Sequence, residues 1–272
     1  MYGLKTRGSP APDEGFPPPP PLHIQAVALF LDLDGTLAAF ESRPELVGAS
    51  QRRTALLKGL QAVLCGRLAI LSGRTLDDID RIVEGAVPAA AGVHGLQRRS
   101  ADGAVVNQPP HPAVDAAEGE LKTFAGAASG LLVERKPQSV ALHYRNAPAL
   151  GDQALALAEA IAVRTGLVLQ RGDMVAELRT PGSNKGDALT AFMAEAPFRG
   201  ARPVMVGDDF TDEAGFVAAR ALGGFGVLVG PQRRTDAQYR LDDVPAVMAW
   251  LEAALVDRAP QPRAVEANGC LA

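Results

Sequence analysis

Cysteine is nearly absent: Cys65 and Cys270 are the only two among 272 residues. Their spacing fits neither a metal-binding pair nor a disulfide framework, so a reduced, cytoplasmic protein is expected. Long apolar runs are missing as well. None reaches the roughly 18 residues that a membrane-spanning helix needs, although 47% of the chain is hydrophobic. Nor is there an excess of positive charge. The formal net charge of -4 leaves no electrostatic footprint for nucleic acid or for an anionic membrane surface. No internal repeat is visible. Residues 1–22 hold the proline run Pro17 to Pro21 with no hydrophobic periodicity and no apolar core of a secretory signal. An unstructured, polyproline-type leader is expected there. Residues from 259 onward read as a flexible tail. A monomer with no nucleic-acid or membrane partner is the expectation.

The chain is organised around Val27 to Leu37, which reads VALFLDLDGTL. Its first half is an unbroken apolar run, as in a strand buried on both faces of a parallel sheet. It ends in Asp32 and Asp34, two apart and therefore on the same side of an extended chain, followed by Gly35. Like charges that close repel unless a cation or a shared proton sits between them. The end of a parallel strand is also where ligands collect in open α/β sheets. A polar turn after a core strand would look similar, so the rest of the chain has to decide.

Ser50 is placed to cap a helix through about Leu64, with Leu56, Leu57, Leu60 and Leu64 on one face. A strand at Arg67–Leu71 ends in Ser72-Gly73-Arg74, and a helix from about Leu76 turns Ile79, Ile82 and Val83 inward. The alternation continues to Ala89–Gly95, which predicts a doubly wound, Rossmann-like α/β core over residues 23–107. From Asn107 the pattern becomes helix, two strands, helix, two strands, as in a small α+β domain with hairpins. The punctuation at Pro109-Pro110 and Pro181-Gly182 marks it as an insertion over 108–181. The α/β pattern resumes in 182–258, with a helix opened by Ser183-Asn184-Lys185-Gly186 and strands at Pro203–Val206 and Gly226–Val229. A last helix, Val244 to about Val256, carries Val247, Trp250, Leu251 and Leu255 as a core stripe.

Four strand ends or helix starts thus carry polar groups: Asp32/Asp34, Ser72, Lys185 and Asp208/Asp209/Asp212. Each alone has a plain explanation as a turn, a surface lysine or a helix cap. Together and in this order they resemble the four motifs of the haloacid dehalogenase superfamily of aspartate-nucleophile phosphatases. The resemblance extends from about Ala26 to Leu255, and the inserted unit lies where that superfamily places its larger type of cap. Within it the chain is most similar to the trehalose-6-phosphate phosphatase family, through Leu71-Ser72-Gly73-Arg74, Gly92-Val93-His94-Gly95, Glu134-Arg135-Lys136-Pro137, Leu142-His143-Tyr144-Arg145 and Gly207-Asp208-Asp209-Phe210-Thr211-Asp212-Glu213. Two places depart from that family: Leu96-Gln97 where Ala-Glu is expected, and Thr180 where proline is usual.

The resemblance implies phosphoryl transfer through a covalent aspartyl-phosphate. Asp32 would be the nucleophile, and Asp34 would protonate the leaving oxygen and then deprotonate the hydrolytic water. Ser72 would hydrogen-bond a phosphate oxygen, and Lys185, at the start of a helix, would add positive charge where backbone N–H groups already favour anions. Mg²⁺ would be bound by the Asp32 and Asp208 carboxylates and the Asp34 backbone carbonyl. Asp209 and Asp212 would support that metal or a further one. Gly73, Arg74, His94, Glu134, Lys136, Arg145 and Glu177 would contact a sugar phosphate, and His143 would be a packed strand residue. The leading expectation is hydrolysis of trehalose 6-phosphate. The alternatives are a phosphatase for a sucrose or mannosyl phosphate compound, a phosphomutase, and a catalytically silent regulatory module. The short interval between Leu37 and Ser72 leaves no room for a mutase-type helical cap, and the retained Asp32, Asp34 and Lys185 speak against a silent one.

Overall fold

The computed structural model describes residues 15–256. The expected tail beyond residue 258 and the first 14 residues of the expected leader lie outside them. The core begins with β1 (Val27–Leu31), α1 (Gln51–Val63), β2 (Leu68–Leu71), α2 (Leu76–Val83), β3 (Ala89–Gly92), β4 (Gln97–Arg99) and β5 (Val105–Asn107). An inserted unit follows: α3 (Val114–Gly126), β6 (Leu132–Lys136), β7 (Ser139–His143), α4 (Gly151–Thr165), β8 (Val168–Gly172) and β9 (Val175–Arg179). The core then resumes with α5 (Lys185–Met193), β10 (Arg202–Gly207), α6 (Glu213–Ala221), β11 (Phe225–Val229), β12 (Tyr239–Leu241) and α7 (Val244–Val256).

The core sheet has the order β12-β11-β10-β1-β2-β3-β4-β5, parallel as far as β3 and antiparallel beyond it. β1 lies near its middle, with Leu31 opposite Val206 on one side and Ile70 on the other. Its unbroken apolar run follows from period-two geometry between two covered faces. Val27, Leu29 and Leu31 enter one core cluster with α1, α2 and α7, while Ala28 and Phe30 enter a second with α5 and α6. In the second cluster Phe30 stacks on Phe198, with ring centroids 5.5 Å apart. Ser50 caps α1 as expected, its side chain accepting from the Arg53 backbone N–H. No helix among the described residues is long and apolar enough to cross a membrane.

The inserted unit is a four-stranded antiparallel sheet, ordered β6-β7-β9-β8, with α3 and α4 on one face. Alternation sorts its side chains. Val140, Leu142, Ala176 and Leu178 pack under the helices, so Ser139, Ala141, His143, Glu177 and Arg179 point the other way, towards the core sheet's strand ends. Glu134, Ala141 and Glu177 lie in one row across β6, β7 and β9, with the small Ala141 between the two carboxylates. The chain segments joining the two units run side by side. Gln108 Nε2 donates to the Pro181 carbonyl, and the Gln108 carbonyl accepts from Gln138 Nε2 at 3.1 Å. Thr180, which replaces the usual proline, donates its N–H to the Gln138 carbonyl and accepts from the His111 N–H, both at 2.9 Å.

One expectation is corrected. The part of the proline-rich leader within the described residues is packed against the core. The Pro17 carbonyl accepts from the Arg240 N–H and the Pro20 carbonyl from Trp250 Nε1, each at 3.0 Å. Proline cannot donate, but its carbonyl still accepts, and the exposed edge of β12 and the indole of α7 supply donors. Trp250 is consequently half-buried, with an apolar body and a polar tip.

Candidate active site

The predicted residues converge at the carboxyl ends of three adjacent strands. Asp32 follows β1, Ser72 follows β2 and Asp208 follows β10, while Lys185 is the first residue of α5. Lys185 is 2% exposed. Its Nζ lies 2.9 Å from Asp32 Oδ2 and 2.7 Å from Asp212 Oδ1. Burial alone would pull the ammonium's pKa down, but Asp212 and Asp32 outweigh it and hold it raised. Asp32 is pushed up, first by burial and then by Asp212, with Lys185 opposing. Its Oδ1 accepts the Leu33 N–H at 2.7 Å.

Asp212 has its other oxygen on the Asp209 N–H at 3.0 Å, so it buttresses Lys185 and closes the Asp209–Asp212 turn. Asp208 is less well compensated. Its carboxylate accepts only a 3.3 Å bond from Thr36 Oγ1, and no cationic nitrogen among the described residues lies within 4.0 Å of it; Arg233 Nη2 reaches only the Asp208 backbone carbonyl, at 3.3 Å. Burial and then Asp212 push its pKa up to about 8. The turn that brings it close needs Gly35 at φ +74°, where a Cβ would lie 2.2 Å from Asp208 Oδ2. Asp32, Asp208 and Asp212 each offer an oxygen within 4.8 Å of the others. Three carboxylates, one lysine and oxygen-only donors fit a hard divalent cation.

Asp34 is held by Arg74, whose Nε and Nη2 lie 2.7 and 2.8 Å from its two oxygens. Arg74 also donates to the Pro44 carbonyl at 2.9 Å, so it anchors a carboxylate as well as lining the cavity. Ser72 Oγ accepts the Arg74 N–H at 3.2 Å, and the hydroxyl hydrogen remains free to point at a ligand. After β3 the chain takes a strained turn, with Val93 and His94 at φ 46° and 56°. Bonds from their N–H groups to the Arg74 and Ser72 carbonyls, 2.8 and 2.9 Å, hold it in place. This lays the His94 ring over Gly73, where a Cβ would be 2.6 Å from Cε1.

From the inserted unit, Glu177 faces His94 Nε2 at 3.0 Å and Lys136 Nζ at 3.3 Å, and also accepts from Ser139 Oγ. Lys136 donates to the Gly73 carbonyl at 3.0 Å. Burial would raise the Glu177 carboxyl, but Lys136 and His94 prevail and hold it far below the usual range. Burial likewise lowers His94, against the pull of Glu177. Glu134 pairs with His143 Nε2 at 2.7 Å, and Arg145 with Asp173 at 2.7 Å. Apart from Ser139, these groups border one cavity of about 340 Å³ between the two units, floored by Asp32 and Lys185. His143 is therefore not merely a packed strand residue: it lines that cavity. Its outward position in the β7 alternation could have signalled this. Phe40, Asp173 and Thr36 were also missed; the Arg145 guanidinium lies 5.2 Å from the Phe40 ring centre, a contact between residues 105 positions apart that sequence cannot reveal. Gln97, at the other departure, uses Oε1 to accept the Leu76 N–H at 3.1 Å, a structural task.

Residues 30–245 match the trehalose-phosphatase family. The trehalose-6-phosphate phosphatase of Escherichia coli strain K12 is 40% identical over 231 residues, covering 83% of this chain and 85% of that protein. A probable trehalose-phosphate phosphatase of Sinorhizobium fredii is 38% identical over 224 residues, covering 82% and 84%. Among solved structures, a trehalose-6-phosphate phosphatase related protein is 26% identical, with a TM-score of 0.69 over 84% of this chain and 96% of that one. The core is the haloacid dehalogenase fold carrying an α+β insertion, and the chain belongs to the trehalose-phosphatase family.

Proposed function

We propose that this chain hydrolyses trehalose 6-phosphate to trehalose and orthophosphate, with Mg²⁺ as the metal. The observation that carries the reading is the single cavity with two chemically distinct walls. Its floor has a buried carboxylate–lysine pair, and its roof has Glu134, Lys136 and Glu177 on one sheet face. Asp32 is the nucleophile. Lys185, itself braced by Asp212, fixes the Asp32 oxygen and presents positive charge to the phosphoryl group. Ser72 donates its hydroxyl to a phosphoryl oxygen. Arg74 sets the orientation of Asp34, which transfers protons to the departing sugar and from the incoming water. The Asp32 and Asp208 carboxylates and the Asp34 backbone carbonyl would hold the Mg²⁺. When bound, the metal offsets the repulsion between a carboxylate nucleophile and a phosphate dianion.

Residues 108–181 act as a cap over the sugar. Glu134, Lys136 and Glu177 bind its hydroxyls, His94 meets the cap from the core, and Arg145 closes the rim. Binding energy collected at the sugar then helps orient the phosphate over Asp32. The test is phosphate release from trehalose 6-phosphate, sucrose 6-phosphate and a mannosyl phosphate compound at equal concentrations. We expect trehalose 6-phosphate to be preferred by at least about tenfold in kcat/KM, a difference of roughly 1.4 kcal/mol. Equal rates on all three would remove the disaccharide assignment and leave a general sugar phosphatase.

A further inference from the structure

A second cleft adjoins the cavity just described, and Lys185, His94 and Thr211 stand in the walls of both. Its remaining walls come from β8, from the end of β9, and from the core turn at Phe210 to Ala214. Among the described residues, three cationic side chains border it, Arg171, Arg179 and Lys185, and no carboxylate does. Lys185 is engaged by Asp32 and Asp212, and Arg171 has a solvent-exposed partner, Glu159, at 3.2 Å. Arg179 is different. It is 7% exposed, yet no carboxylate oxygen among the described residues comes within 4.0 Å of its guanidinium. Nε donates to Gln170 Oε1 at 3.0 Å, and Nη1 to the Ser183 and Thr180 carbonyls at 3.0 and 3.4 Å. Nη2 makes no hydrogen bond to any described residue. Burial draws the pKa of Arg179 below the usual arginine value; Glu177 and Asp187 oppose this only from beyond contact distance.

A buried guanidinium with neutral partners carries an uncompensated desolvation cost that an anion beside it would relieve. Nη2, the one guanidinium nitrogen without a bond to a described residue, can donate to a phosphate oxygen, and Arg171 at the rim adds steering charge. We propose that this cleft binds orthophosphate, taking the product as it leaves the catalytic cavity beside Lys185. The proposal rests on the reading that phosphate is released there. Thr211 and Lys185, common to both walls, make the transfer a short one.

The experiment is equilibrium dialysis of the Mg²⁺-loaded full chain against radiolabelled orthophosphate, with turnover of trehalose 6-phosphate measured on the same samples. Two phosphates per chain are expected. Arg171→Glu reverses a charge at the cleft mouth without touching the catalytic cavity. It should weaken one of the two by on the order of tenfold and leave the other unchanged. Arg179→Met should abolish the same one. Arg171→Glu, on the surface, carries the test if the buried substitution unfolds the chain. A single equivalent in an active parent enzyme, or two equivalents indifferent to Arg171→Glu, overturns the cleft as a phosphate site. Two equivalents with the expected Arg171→Glu effect, in a chain that releases no phosphate, uphold the site and overturn the reading of the reaction instead.

Discussion

Asp32 and Glu177 are both buried carboxylates beside a buried lysine, yet they are shifted in opposite directions. Asp32 shares Lys185 with Asp212 and sits near Asp208, so repulsion adds to burial and its pKa rises. Glu177 has Lys136, His94 and Ser139 around it, and its pKa falls despite burial. The first arrangement demands a cation; the second is already neutralised. Asp32→Asn should therefore leave the fold intact and abolish turnover, because an amide is a poor nucleophile. Activity retained within about tenfold of the parent, roughly 1.4 kcal/mol of barrier, would sink the covalent mechanism. Glu177→Gln should instead lower stability by about 3 kcal/mol, since the buried Lys136 loses its nearer carboxylate and keeps only Glu134 at 3.9 Å. The pH dependence has a definite sign. The folded pKa of Glu177 lies below its ordinary value of 4.5. Its contribution is therefore complete above about pH 4.5 and lost as the pH falls towards the folded pKa. Denaturant titrations of parent and mutant should show a gap that is constant above about pH 5 and narrows in acid. A gap that widened in acid would contradict the pairing.

Among elements, the cap strands show what period-two alternation delivers. The same β6, β7 and β9 that pack Val133, Val140, Leu142, Ala176 and Leu178 under α3 and α4 direct Glu134, His143 and Glu177 at the core. Glu134→Ala should lower kcat/KM on trehalose 6-phosphate by about 1.5–3 kcal/mol, the range of a charged hydrogen bond. It should barely change turnover of a small aryl phosphate that does not reach the cap. Equal losses on both substrates would mean that Glu134 supports the fold rather than the sugar. The long, strongly patterned elements were legible: the helices after Ser50 and Leu76, all four cap strands, β10 and α7. The short strands β4, β5 and β12 were not. Each has three residues and no continuous apolar signal, and each exists because a neighbouring strand offers an unpaired edge. The packed leader at Pro17 and Pro20 escaped for the same reason: its partners, Arg240 and Trp250, are more than 200 residues away.

At the scale of the whole molecule, one cavity is assembled from two units, and a cation is needed where they meet. Chelation should abolish phosphatase activity and Mg²⁺ should restore it. Ca²⁺ should support it poorly, because its larger, looser oxygen shell does not hold phosphorus in line with Asp32. Full activity in excess chelator would contradict the part assigned to Asp208. The units are joined by Gln108 and the Pro181–Gly182 segment, and clasped across the cavity by His94–Glu177 and by Lys136 to the Gly73 carbonyl. The clasp uses the very groups proposed to contact sugar, so a sugar bound there would compete with it for Glu177 and Lys136.

Sequence alone determined the candidate reacting groups and their order. Asp32/Asp34, Ser72, Lys185 and Asp208 each follow an apolar strand or open a helix, and a parallel sheet brings such places to one edge. Only the tertiary structure decided what each group touches. That Arg74 is spent on Asp34, that Asp212 braces Lys185, that His143 reaches Glu134, and that Arg179 lies buried with no carboxylate of the described residues beside it are relations between different elements of the chain. Periodicity reports which way a side chain leaves its own strand or helix. Pairing depends on the register and docking of another element, and those are set by the packing of both.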